Sequence, residues 1–372
     1  MKKPLLLWIL LASQILAAEV PGVDISNPLK LLAVGDRSEN IIDVIDLDTG
    51  KVAHRFETAF FPDRLIIAPY APILMYTSIE RRLAVFYNLV TRQEIKRVEL
   101  PLTPRHVVLD TTGGLVGISD STNGGFVLLS VYTQRILFSL ADFPPTTDVL
   151  FDPNEVDIYY SNSATGSIGL LNTNVQKWIE MPLTEQQGQN LSSPSRSLDA
   201  RHIYVANGTT GEVYSLNAFS KVIFKTFRIG SSPARPYTTP QGSFLYLTDR
   251  ESGRVMVVEQ GSFRQYADIH FAQGVDLVTV GRFDRFNLFL STGHSEYYVY
   301  DNLKKVVVTE GIFKGKPIAA LGAADGKTAY IAFADIPQLA MFNLEQQAIR
   351  YFDATENGAG SFAMGLSNNV CH

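Results

Sequence analysis

The chain has 372 residues, 46% hydrophobic and 19% charged, with a formal net charge of −5. That composition is too apolar for disorder and supports a large buried core. No basic stripe or block follows the first residues, which argues against nucleic acid as a partner.

The chain opens MKKPLLLWILLASQILAAEV. Lys2 and Lys3 precede an apolar run from Pro4 to Leu16, and Ala17-Ala18 offers a small-residue cleavage site before Glu19. This is the pattern of a secretory signal peptide over residues 1–18. The run is shorter than the ~20 residues that span a bilayer. The expectation is a periplasmic or secreted protein with no stable membrane anchor after cleavage, its residues 19–372 forming one domain. Cys371 is the only cysteine, so no intrachain disulfide can form.

From residue 31 onward a short apolar segment recurs. LLAVGD begins at Leu31, ILMYTS at Ile73, LVGISD at Leu115 and DIYYSN at Asp157. HIYVAN begins at His202, FLYLTD at Phe244, NLFLST at Asn287 and AYIAFA at Ala329. The successive offsets are 42, 42, 42, 45, 42, 43 and 42 residues. After each copy comes a Gly/Asn/Asp-rich turn, a second alternating segment, a turn such as DTG, and a third segment such as KVAHRFE. Alternation at period two with β-branched and aromatic residues predicts strands. A period of ~40–50 residues carrying several strands predicts the blades of a β-propeller.

Seven copies follow a further strand, such as RLIIAP or HVVLDT, whereas the copy at Leu31 lacks one. The missing strand is SFAMGLS, Ser361 to Ser367, which has no segment after it to pair with. The sequence therefore predicts an all-β, eight-bladed propeller closed by a C-terminal strand that completes blade 1. A ring of seven blades is the alternative, with the copies at Asn287 and Ala329 the weakest.

Tyr204-Val205-Ala206-Asn207 resembles the signature of YVTN-type β-propellers, and Val44 to Val52, VIDLDTGKV, resembles that family's next segment. The resemblance runs over the mature chain as repeats. It implies an exported propeller of the superfamily that includes quinoprotein amine dehydrogenase chains, and it implies no single reaction.

In a propeller the innermost strands line a central channel. Aligning the loops that lead into them places Arg64, His106, Asp148, Arg196, Arg235, Asp276, Pro317 and Ser361 at one position around its mouth. Guanidinium groups match carboxylate and phosphate geometry, so a small anionic ligand fits such a ring. Alternatively, the Arg and Asp residues pair across neighbouring blades and simply close the channel. His294 and His270 fall on the same side as His106, but without HxH or HxxxH spacing. Cys371 and His372 carry metal-competent groups at the C-terminus, next to an α-carboxylate. As metal ligands Cys371, His372 and His294 are weak candidates.

No GxSxG, HExxH, P-loop, dinucleotide or CxxCH pattern occurs in a usable context. Only Trp8 and Trp178 are present, unlike the propeller alcohol dehydrogenases with their repeated Trp motifs. The sequence thus points to a non-catalytic exported scaffold that presents a face or its central mouth to a protein partner or a small anionic ligand, with no cofactor identified. The alternatives are a cofactor-linked redox or cofactor-maturation protein and a lactonase or other hydrolase. The first rests on a resemblance to the haem-d domain of nitrite reductases, which implies a haem- or quinone-type ligand over an Arg/His mouth.

Overall fold

The computed structural model describes residues 25–146, 148–154 and 156–366. It is an eight-bladed β-propeller: eight antiparallel sheets of four strands each. Blade 2 is representative, running from the channel outward as Arg64–Ile67, Ile73–Ser78, Leu83–Asn88 and Gln93–Glu99. The copies at Asn287 and Ala329 are true second strands, Phe286–Leu290 and Thr328–Phe333, which removes the seven-blade alternative.

The middle strands are buried on both sides because each blade packs between two neighbours. In Leu31–Asp36, Leu31 and Ala33 face Leu65, Leu74 and Tyr76 of blade 2. Leu32 and Val34 face Tyr330, Ala332 and Leu339 of blade 8. The core is accordingly eight separate apolar clusters, one at each junction between blades. This is why these strands read as continuous apolar runs, while the outer strands, such as Gln93–Glu99, are exposed and charged.

The last residue of the recurring hexamer has a specific task. Asp36, Asn162 and Asn207 end their strands, Asp120 and Asp249 directly follow theirs, and all five accept hydrogen bonds from the backbone N–H groups two and three residues on. These Asx turns reverse the chain into the third strand. The next hairpin uses the same device. Asp46, Asn88, Asn172, Asn217 and Asp301 cap their turns, and the residue four positions later is left-handed: Gly50, Arg92, Gln176, Lys221 and Lys305. Only the first of those five is glycine, the residue that takes this conformation without strain.

The closing strand is Ala359–Met364, two residues earlier than the sequence predicts, and Ser367 lies outside the described residues. It pairs antiparallel with Leu31–Asp36, placing Leu32 opposite Met364 and Val34 opposite Phe362. Gly35 is required here, since a Cβ at that position would sit 2.2 Å from Ser361 Oγ. That hydroxyl donates to the Pro62 carbonyl at 2.8 Å and so links blade 1 to blade 2.

Candidate functional site

The innermost strands all begin on one face, so the residues that precede or open them converge on the channel mouth. Arg64 opens the innermost strand of blade 2 and His106 that of blade 3, His106–Leu109. Asp148 immediately precedes Val149–Phe151 of blade 4, and Arg235 lies two residues before Tyr237–Thr238 of blade 6. These four form one electrostatic group. Burial pushes the Asp148 carboxyl up, opposed by Arg235, His106, a hydrogen bond from the Val149 N–H (3.0 Å) and Arg64. Burial pushes the His106 imidazole down, opposed by Asp148 and reinforced by Arg64 and Arg105. At neutral pH the imidazole is therefore uncharged.

Two of the arginines are oriented by carbonyls. Arg64 donates Nε to the Arg105 carbonyl at 3.0 Å and Nη1 to the Asp63 carbonyl at 2.9 Å. Arg235 donates Nη2 to the Pro194 carbonyl at 2.9 Å. Both remain exposed. Arg64 also lines an open depression of about 620 Å³, whose other walls include Arg37, Phe61, Val107, Ile318 and Phe362. Cationic rim and apolar wall are thus side by side.

Other residues of the expected ring have different surroundings. Arg196 is buried and donates Nη1 to the Phe151 carbonyl at 3.1 Å, while its own carbonyl accepts from Thr238 Oγ1. It stitches blades 4, 5 and 6 together along the channel wall. Asp276 accepts from the Thr292 N–H and hydroxyl at 2.8 and 2.6 Å and faces Arg250 at 3.7 Å. It fixes a hairpin of its own blade. Pro317 opens the innermost strand of blade 8 and is buried, and Ser361 is committed to Pro62.

His294 is exposed on its hairpin, and His270 is exposed beside Asp268 at 3.7 Å. Among the described residues no group of three or more His, Cys, Asp or Glu side chains is placed to hold a metal. Cys371 and His372 lie outside the described residues. Arg37 and Arg105 are members of the mouth that the aligned position omits. Arg37 donates to the Ala334 carbonyl (2.9 Å) and Arg105 pairs with Asp120 (3.1 Å). Arg37 follows the capping Asp36 in a loop on the same face, and that position is its signal in the sequence.

No family model matches the chain, and no curated protein resembles it in sequence. Solved structures do share the fold. A dihydro-heme d1 dehydrogenase, NirN, in complex with DHE, superposes with a TM-score of 0.74 over 93% of this chain and 76% of its own, at 13% identity. The C-terminal WD40 domain of Sif2 gives 0.64 over 82% and 87%, also at 13% identity. BamB from Moraxella catarrhalis gives 0.62 over 79% and 88%, at 14%. The fold is a propeller scaffold. At these identities the likeness extends to architecture and no further.

Proposed function

We propose that this protein is an exported, non-catalytic propeller that holds a small carboxylate- or phosphate-bearing ligand at its channel mouth. The observation that carries the reading is the placement of exposed Arg64 and Arg235 around the His106–Asp148 group, with an apolar-walled depression beside Arg64. Guanidinium N–H groups would meet the anion, and Phe61, Val107 and Phe362 would cover an apolar body. The non-catalytic reading rests on the sequence, where no GxSxG, HExxH, P-loop, dinucleotide or CxxCH pattern occurs in a usable context. Export rests on the opening MKKPLLLWILLASQILAAEV, and the YVTN-like repeat is compatible with it.

A cofactor-linked role is the second reading. It draws on the fold likeness to NirN, which was solved with DHE bound. Thermal-shift titration against carboxylates, phosphates and tetrapyrroles tests the first reading, with Arg64→Ala and Arg235→Ala as comparators. The expected result is stabilisation of the wild type by at least one class and its loss in both variants. If no member of the panel stabilises the wild type, the mouth is not a ligand site. A visible absorption band in protein purified from its native source would favour the cofactor-linked role.

A further inference from the structure

On the face opposite the mouth the chain turns twice per blade, between the first and second strands and between the third and fourth. Large apolar side chains are left in water there. Tyr70, Tyr132, Val175, Phe219, Phe283 and Leu303 all stand on these turns, between 47% and 75% exposed. Among the described residues, no large exposed apolar side chain lies in a loop leading into an innermost strand.

One of these turns carries two left-handed non-glycine residues in succession. Residues 281–285 read Gly-Arg-Phe-Asp-Arg, and both Phe283 and Asp284 are left-handed, with φ of 57° and 55°. A bulky residue adopts that conformation only under strain. A buried frame imposes it. Asn287 and Asn302 donate Nδ2 to the Asp284 carbonyl at 3.4 and 2.9 Å, and both also donate to the Tyr246 hydroxyl, at 2.7 and 2.6 Å. The outcome is a Phe283 ring held outward, 75% exposed.

The surroundings of Phe283 are cationic. The Asn302 N–H donates to the Arg285 carbonyl at 2.8 Å, which sets the equally exposed Leu303 beside this turn. Arg282, Arg285, Lys304 and Lys305 flank the two apolar tips. Arg285 faces the buried Asp301 at 3.7 Å. Among the described residues no carboxylate lies within ion-pairing distance of Arg282 or Lys304. Beside the turn, a cavity of about 520 Å³ is lined by Arg282, Phe283, Arg285, Phe286, Leu344 and Glu345, whose carboxylate is paired with Lys327 at 3.3 Å. This concentration of positive charge stands on a chain whose net charge is −5.

We infer that this face docks peripherally on an anionic phospholipid surface. Phe283 and Leu303 enter the headgroup layer, and Arg282, Arg285 and Lys304 meet its phosphates. Charge complementarity selects an anionic occupant. The shape selects a lipid plane over a folded partner: Phe283 and Leu303 are two separate, highly exposed tips flanked in sequence by Arg282, Arg285, Lys304 and Lys305.

Co-sedimentation of the whole protein with vesicles tests this. One set is phosphatidylcholine alone and the other contains about one-third phosphatidylglycerol. The wild type is expected to sediment with the anionic vesicles and to be released by salt. Arg282→Gln combined with Lys304→Gln should weaken binding by roughly twentyfold with no change in melting temperature. Phe283→Gly should relieve the turn, so its melting temperature should rise while vesicle binding falls by about fivefold or more. A purely structural role for Phe283 would not give that opposite pair. Failure of the wild type to sediment, equal sedimentation with both vesicle types, or Phe283→Gly binding like the wild type would overturn the proposal. Full competition by glycerol phosphate would also overturn it, assigning the cavity to a free phosphate ester. The mouth on the other face is not involved, so failure here leaves the proposed ligand site standing.

Discussion

The carboxylate of Asp36 accepts the backbone N–H of Glu356 at 2.8 Å, joining positions 320 residues apart. It also takes the N–H groups of Asn357, Ser38 and Glu39. One side chain therefore caps the first hairpin and clasps the segment that returns to close the ring. Arg55 adds a second tie, bridging the buried Asp43 at 2.8 Å and Glu356 at 2.6 Å.

The clasp has a pH signature. Burial of Asp36 acts to raise its pKa, but the N–H donors outweigh it and bring the group down from 3.8 to about 2. A depressed carboxylate contributes stability that is present above its unfolded pKa and lost as pH falls through the folded one. About 2 kcal/mol should therefore disappear between pH 4 and pH 2. Asp36→Asn is expected to lose a similar amount at pH 7 and to flatten the acid limb. Urea unfolding at several pH values measures both.

Removing residues 359–372 deletes the innermost strand of blade 1 along with the buried Ala363 and Met364. It exposes the edge of Leu31–Asp36. The expected product is insoluble or melts far below the full chain. An unchanged melting temperature would contradict closure by this strand.

Turn chemistry supplies a stabilising substitution. Gln176 is left-handed, with φ of 54°, at the position where blade 1 has Gly50. Gln176→Gly should raise stability by ~0.5 kcal/mol, the relief of strain exceeding the entropy cost of glycine. Gln176→Ala keeps the strain and should show no such gain. Gly50→Ala should lose about 1 kcal/mol, because its φ is 64°.

The mouth predicts a separate pH response near neutrality. His106 is held below 6.5, chiefly by burial, so the unfolded chain takes up its proton first as pH falls. Stability should decline from about pH 6.5 downward. His106→Gln should remove that decline. Asp148→Asn should steepen it, because Asp148 is the largest of the influences that favour the charged imidazole. Melting curves between pH 5 and 7.5 decide the matter.

Much of the architecture was legible because a propeller repeats itself. The hexamers at Leu31, Ile73, Asp157 and His202 coincide with whole strands. The orphan copy at Leu31 led directly to its partner near Ser361. The site was less legible. A single aligned position picked out Arg64, His106, Asp148 and Arg235, whose charges act on one another in the structure, but treated Arg196 as their equal. What separates Arg196 is a hydrogen bond to the Phe151 carbonyl of the preceding blade, and no local pattern encodes it. Blades 5 and 6 also shorten their innermost strands to Ser195–Arg196 and Tyr237–Thr238, and in blade 5 the regular spacing breaks as well. The strained turn at Phe283 has no sequence signature, since glycine would have marked it and the chain uses phenylalanine.

The order of synthesis gives the closing strand a further meaning. Every other blade is complete soon after its four strands leave the ribosome, yet blade 1 waits for Ala359–Met364, the last of the described strands. Until then the apolar cluster joining blades 8 and 1 cannot assemble, and the growing chain is an open arc with two unsatisfied ends. Once the final strand arrives the ends vanish together, so the finished ring offers a protease or an unfolding force no terminal blade at which to begin.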